Sequence, residues 1–178
     1  MTEQEPRPEA EEQGDLLLQE ARRIAFRTPL GFLAFGFGSG LLTRAPGTMG
    51  TLAALPVAIW LQSETGRWEF WFLAAAFLAG IPICEYATKK LGVEDYGGVV
   101  WDEMVGFWFA TAWLPAHPLW LIPAFVLFRF FDIIKPWPIS ALEERYDGGF
   151  GIMVDDLAAG VYTAVLMAGL NVAFFDAA

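Results

Sequence analysis

From Met104 to Leu114 the chain carries no charge, and two adjacent carboxylates, Asp102 and Glu103, stand at the head of that run. Moving an ionised carboxylate out of water and among apolar side chains costs several kcal/mol unless a cation or hydrogen-bond donors answer it. Something must therefore face this pair. Two other stretches also set charge into apolar sequence: Arg129–Phe130–Phe131–Asp132–Ile133–Ile134–Lys135–Pro136–Trp137–Pro138, and Gly148–Gly149–Phe150–Gly151–Ile152–Met153–Val154–Asp155–Asp156. The three are expected to converge on one site.

The expected setting is a membrane, against a buried all-helical soluble core. Hydrophobic residues make up 56% of the 178 and charged residues 18%, whereas soluble domains average roughly 45–50% and about 25%. The mean hydropathy is +0.43. These values point to an all-α, helical integral membrane protein. About four or five membrane-associated or spanning helices are expected, at residues 49–62, 70–87, 99–116, 118–134 and 151–175. The first is short for a crossing, at about 21 Å of helix against roughly 30 Å of hydrocarbon. Trp68, Trp71, Trp101, Trp113, Trp120 and Trp137 fall near segment ends, as an aromatic belt would.

The net charge of −10 is uneven, since residues 1–20 contribute −6 of it. Residues 1–28 divide into an acidic head, expected to be disordered, and a stretch with Leu16, Leu17, Leu18, Ile24 and Phe26 beside Arg22, Arg23 and Arg27. That stretch reads either as a basic amphipathic helix on an anionic membrane or as a surface helix packed on the body. Residues 29–178 form one helical domain. The acidic balance argues against nucleic acid as a partner. The single cysteine, Cys84, permits no intrachain disulfide or cysteine metal cluster.

With the N-terminus in the cytoplasm and five crossings, Arg22, Arg23, Arg27, Arg44, Lys89, Lys90, Arg129, Lys135 and Arg145 all fall inside, and only Arg67 falls outside. The positive-inside rule then sets the orientation. It also puts Glu94, Asp95, Asp102, Glu103, Asp132, Asp147, Asp155 and Asp156 on the inner side.

Residues 30–51 are rich in glycine and hold Thr43–Arg44–Ala45–Pro46–Gly47–Thr48–Met49–Gly50–Thr51. Glycines ahead of a helix let backbone N–H groups cradle an anion, and Arg44, Thr48 and Thr51 could add to the grip. The same residues could simply make a turn. Arg129, Asp132 and Lys135 are three apart, in a band along one helix face if the helix continues; Pro136 favours an extended Lys135 and a helix end there. Gly148, Gly149 and Gly151 are expected to form a flexible loop that can wrap a phosphate. Adjacent acids differ by about 100° around a helix, so one of each pair is expected to bind metal while its neighbour orients a water, a base or a second ion.

Carboxylates without nearby His or Cys suit Mg²⁺ or Mn²⁺ rather than zinc. Together with the cations they imply phosphoryl chemistry on a lipid headgroup, with water as the simplest nucleophile. A small membrane ion transporter using inner-face carboxylates is the alternative. It predicts acids scattered through membrane depth.

Gly36–Phe37–Gly38–Ser39–Gly40, Ala45–Pro46–Gly47–Thr48–Met49–Gly50–Thr51, Val100–Trp101–Asp102–Glu103, Phe128–Arg129–Phe130–Phe131–Asp132 with Lys135–Pro136–Trp137–Pro138, and the stretch from Gly148 to Asp156 together resemble the phosphatidylglycerophosphatase A family. The resemblance covers about residues 30–175 in order. It implies a multi-pass enzyme of the bacterial inner membrane with its active site on the cytoplasmic side. The implied reaction is Mg²⁺-dependent hydrolysis of phosphatidylglycerophosphate to phosphatidylglycerol and phosphate in phospholipid biosynthesis. It supports the positions Asp102, Glu103, Asp132, Asp155 and Asp156 as metal candidates, with Asp102, Glu103, Asp132 and Asp156 also in catalysis. Charge then assigns Arg44, Thr48, Arg129 and Lys135 to the substrate phosphate. The oligomeric state is left open.

Overall fold

The computed structural model describes residues 8–63, 68–94, 96–115 and 117–173, with the side chains of residues 8–11 left aside. Residues 1–7 of the acidic head, Arg67, Asp95 and residues 174–175 of the last expected segment lie outside the described residues. Those described form helices and no strand.

Helix α1 spans Pro8–Arg27. The head expected to be disordered is therefore helical from Pro8 onward, in keeping with a Glu- and Ala-rich sequence of high helix propensity behind a first-turn proline. Ala21, Ile24 and Ala25 are buried, and α1 packs on α2, Pro29–Ala34. The stretch packs on the body through this face, while Leu16 and Phe26 stay exposed. Thr28 caps α2, its hydroxyl accepting from the Gly31 N–H at 3.0 Å. The glycine-rich stretch then makes a 3-10 turn at Gly36–Leu41, where Gly36, Phe37 and Gly38 all take positive φ.

The body comprises α3 (Pro46–Ser63), α4 (Trp68–Leu91), α5 (Trp101–Thr111), α6 (Leu121–Ile134), α7 (Ile139–Glu143) and α8 (Gly148–Asn171). Helix α5 is the hub. It has only 11 residues, about 16 Å of helix, and most of it is buried against α8, α3 and α4. Its two indoles fasten it to its neighbours. Trp108 Nε1–H donates to the Ala54 carbonyl of α3 at 2.9 Å, and Trp101 Nε1–H to the Ala76 carbonyl of α4 at 3.2 Å. Trp101 is thus a core residue and not part of an aromatic belt.

Helices α5 and α8 cross where glycine faces glycine. A Cβ on Gly160 would meet the Gly106 carbonyl oxygen at 2.5 Å, and one on Gly106 would meet the Asp156 carbonyl oxygen at 2.6 Å. Asp102 and Asp156 each precede their crossing glycine by four residues, one helical turn. The close crossing therefore brings the two acids together.

Among the described residues, α4 and α8 are long and apolar enough to cross a membrane. Helices α3, α5 and α6 are shorter than roughly 30 Å of hydrocarbon requires. The run expected over 99–116 is helical only to Thr111. Large apolar side chains nonetheless face outward on α4 (Trp71, Leu78), α6 (Ile122, Val126) and α8 (Val161, Val165). Apolar exposure of this extent belongs to a surface that meets something other than water. The fold class is an all-α, membrane-associated bundle.

Candidate active site

The C-terminal half of α4, the start of α5, the end of α6 and the first turns of α8 surround a cavity of about 710 Å³. It gathers Asp102, Glu103, Arg129, Asp132, Lys135, Asp155 and Asp156 from three separate stretches of chain. Arg44 and Thr48 do not line it. Arg44 is exposed ahead of α3, and the Thr51 hydroxyl donates to the Gly47 carbonyl at 2.9 Å within the helix. The glycine-rich stretch reaches the site through Gly47 instead. A Cβ there would collide with Glu103 Oε1 and come within 2.7 Å of Arg129 Nη1.

Asp102, Glu103 and Asp156 each offer one carboxylate oxygen, and the three atoms lie within 4.8 Å of one another. Both members of the 102/103 pair thus reach one point, contrary to the expected division of labour; the longer glutamate side chain spans the angular offset. Asp102 Oδ1, Glu103 Oε2 and Asp156 Oδ2 are buried without a hydrogen-bond partner. Like charges at such a separation repel by about 3.5 kcal/mol or more per pair at an effective dielectric constant near 20. Three orphaned oxygens, with no nitrogen or sulfur among the donors, fit a hard divalent cation such as Mg²⁺.

Arg129 lies between Glu103, 3.7 Å from its Nη1, and Asp132, with which it forms an ion pair one turn along α6. Its Nε is buried and unpartnered, so the guanidinium keeps a free donor. Asp132 is at the C-terminal end of α6, where the helix dipole disfavours an acid; Arg129 compensates it.

Lys135 ends α6 in the left-handed conformation, φ 45 and ψ 58. The extended conformation expected before Pro136 is not adopted. Left-handed backbone costs a non-glycine residue of order 1–3 kcal/mol, and here it turns the side chain toward two carboxylates. Nζ donates to Asp155 at 2.5 Å and to Glu143 at 2.7 Å. Burial works against the ammonium, but the bonds to Asp155 and Glu143 outweigh it and hold Lys135 above the ordinary lysine range. Asp155 is therefore the lysine's partner, while Asp156 points into the carboxylate cluster.

One expectation about α8 does not hold. Gly148, Gly149 and Gly151 are the first turn of the helix and not a loop. Asp155 and Asp156 consequently lie two turns in, beyond the reach of the N-terminal dipole. The glycines serve close packing: a Cβ on Gly149 would meet the Glu85 backbone nitrogen at 2.9 Å. Glu85 and Glu143 are residues of the site to which sequence reasoning gave no role. Glu85 Oε2 accepts from the Gly149 N–H at 2.5 Å and its Oε1 pairs with Lys89 at 2.7 Å, so α4 caps α8. An acid near the end of an apolar segment, four residues before a lysine, was the available signal for Glu85.

The fold and site define a helical, membrane-associated protein with an acidic, cation-ready pocket at one end of its bundle. The family model for phosphatidylglycerophosphatase A matches residues 32–171, and the chain belongs to that family. It is 43% identical over 148 residues to phosphatidylglycerophosphatase A of Haemophilus influenzae, covering 82% of this chain and 91% of that one. It is 40% identical over 148 residues to the Escherichia coli protein of the same name, covering 82% and 85%. A Bacteroides thetaiotaomicron protein, provisionally named a phosphatidylinositol-3-phosphatase, is 41% identical over 144 residues, covering 75% and 87%. No solved structure matches the chain.

Proposed function

We propose that this enzyme hydrolyses the terminal phosphomonoester of phosphatidylglycerophosphate, releasing phosphatidylglycerol and inorganic phosphate. The observation that carries the reading is the convergence of the Asp102, Glu103 and Asp156 carboxylates, one oxygen of each within 4.8 Å of the others, on residues that each also hold a buried, unpartnered oxygen, beside Arg129. The names of the two phosphatidylglycerophosphatase A relatives support the substrate.

Asp102, Glu103 and Asp156 would hold Mg²⁺, which supplies positive charge to the phosphoryl group and makes water a better nucleophile. Arg129 and Lys135 face the same cavity and stabilise charge as it builds on the phosphoryl oxygens. Each is oriented by a carboxylate, Asp132 and Asp155 respectively. A water oxygen attacks phosphorus, the bond from phosphorus to the glycerol oxygen breaks, and the alkoxide takes up a proton. One cluster carboxylate accepts the proton of the water.

The cations Lys89, Arg129 and Lys135 all line this cavity. With the positive-inside rule they favour a multi-pass protein of the inner membrane whose site opens to the cytoplasm. The clustering of the site acids at one end of the bundle argues against the ion-transporter alternative, which needs acids spread along a path.

A second reading of the headgroup comes from the Bacteroides relative, whose name specifies a phosphoinositide. Purified protein in detergent with Mg²⁺, offered phosphatidylglycerophosphate, phosphatidylinositol 3-phosphate and phosphatidic acid, decides between them. The proposal expects kcat/KM highest for phosphatidylglycerophosphate. A preference for the phosphoinositide would replace the substrate and keep the chemistry.

A further inference from the structure

The cavity accounts for a phosphorylated headgroup but not for the two acyl chains of such a lipid. At about 100° per residue, Ile122, Val126, Phe130 and Ile133 fall within about 80° of one another on α6. All four face outward, with exposures of 63%, 60%, 51% and 68%. They form an apolar stripe along the helix. Its last member, Ile133, also lines the cavity, next to Asp132 in sequence and two residues before Lys135. Arg129 lies only about 40° from Ile133 around the same helix. One helix thus carries a polar edge that faces the phosphate and, directly beside it, an apolar ledge that leads out of the cavity. In the turn after α6 Trp137 is the most exposed of the large apolar side chains among the described residues. The Tyr162 hydroxyl of α8 donates to its carbonyl at 3.1 Å.

Other outward apolar faces lack this continuity. Trp71 and Leu78 on α4, and Val161 and Val165 on α8, are as exposed, but none lines the cavity. They are ordinary surface for a lipid environment. Tyr146 also lines the cavity and packs on Phe150 of α8, but at 38% and 39% these rings are less exposed than the α6 stripe.

We infer that the outer face of α6, from Val126 through Phe130 to Ile133, is the docking ledge for the acyl chains of the lipid substrate. This inference rests on the proposal that the site takes a lipid phosphomonoester. A lipid seated there keeps its chains in the bilayer along α6 while its headgroup bends over Ile133 into the cavity. No extraction from the membrane is needed. The ledge contributes affinity for a long-chain substrate and touches none of the reacting atoms.

Two measurements test it. The first compares wild type with Phe130→Ala/Ile133→Ala in detergent micelles containing dioleoyl phosphatidylglycerophosphate, with KM expressed as mole fraction of substrate. Loss of apolar contact of this size raises that KM by about tenfold and leaves kcat within about twofold. The penalty shrinks on the dihexanoyl lipid. Val165→Ala on α8, 69% exposed, serves as the comparison and leaves KM unchanged. An unchanged KM in the α6 variant, an equal rise in the α8 variant, or a fall in kcat on both substrates would overturn the ledge.

The second needs no turnover. Phosphatidic acid carrying a diazirine on one acyl chain is photo-cross-linked to the full chain, and the labelled residues are mapped by mass spectrometry. Labelling at Phe130 and Ile133 should be suppressed by unlabelled phosphatidylglycerophosphate and not by phosphatidylcholine, while labelling near Val165 is indifferent to both. Selective suppression in a protein that hydrolyses no lipid phosphate would uphold the ledge and sink the phosphatase. Equal suppression at both faces, or at neither, would sink the ledge alone.

Discussion

Gly106 on α5 lies so close to Asp156 on α8 that a Cβ at position 106 would stand 2.6 Å from the Asp156 carbonyl oxygen. This contact sets the separation between the helix that carries Asp102 and Glu103 and the helix that carries Asp156. Gly106→Ala must push the two apart, and forced separation in a packed interior costs about 1–3 kcal/mol. Lower thermal stability in detergent is expected, with a loss of activity of tenfold or more as the carboxylates part. Gly169→Ala, where a Cβ meets nothing within 4 Å, should be neutral or slightly stabilising, since alanine is the better helix former by up to about 1 kcal/mol.

Lys135 and Asp155 act as a pair, 2.5 Å apart. Lys135→Met strands a mostly buried carboxylate and should lower both stability and activity. Asp155→Asn made in the same chain should recover part of the stability, with a coupling of about 1–3 kcal/mol in a double-mutant cycle. The folded pKa of Lys135 lies above the ordinary lysine value because the bonds to Asp155 and Glu143 overcome burial. The stabilisation is therefore whole below pH ~10.4 and is lost as pH rises from there through the raised value. Between pH 5 and 9 the lysine stays charged, and Lys135→Arg should leave the shape of the activity profile in that range unaltered.

Glu85 caps α8 from α4. Removing a cap of this kind costs about 1 kcal/mol. Glu85→Ala should lower the unfolding temperature in detergent, and Glu85→Gln, which keeps an acceptor for the Gly149 N–H, should lower it less. An equal loss in both would mean that the ion pair with Lys89, and not the cap, carries the effect.

Arg129 and Arg44 both suggested themselves for the phosphate from charge, but only Arg129 lines the cavity. Arg129→Ala should reduce kcat/KM by about a hundredfold or more, in the range typical of lost electrostatic stabilisation in an active site. Arg44→Ala should reduce it by less than tenfold. Steady-state kinetics on the lipid substrate separates the two, and the opposite ranking would return the phosphate to the start of α3.

Asp102, Glu103, Arg129, Asp132, Lys135, Asp155 and Asp156 were legible in the chain because charge embedded in apolar sequence is costly and conspicuous. Asp132, at the wrong end of a helix for its charge, was the clearest single sign. The backbone around them was less legible. Gly148, Gly149 and Gly151 read as a loop because glycine weakens helices, yet they open α8, where the absence of Cβ at Gly148 and Gly149 lets α4 press against it. Lys135 read as extended because proline follows, yet its bonds to Asp155 and Glu143 hold it left-handed. Glu85 could be placed near a segment end, four residues before Lys89, but its capping role could not, because its partner is a backbone N–H 64 residues away in sequence. The family resemblance rested on these same stretches, and the family model covers residues 32–171.

The central claim is that the Asp102, Glu103 and Asp156 carboxylates hold the cation on which phosphate release depends. The most direct test is phosphate release from phosphatidylglycerophosphate by purified protein in detergent, with Mg²⁺ and with EDTA, for wild type and Asp156→Asn. The account predicts release by wild type that EDTA abolishes and Mg²⁺ restores, and a well-folded variant at least a hundredfold slower at equal Mg²⁺. Release that persists in EDTA, or an Asp156→Asn protein as active as wild type, would contradict it.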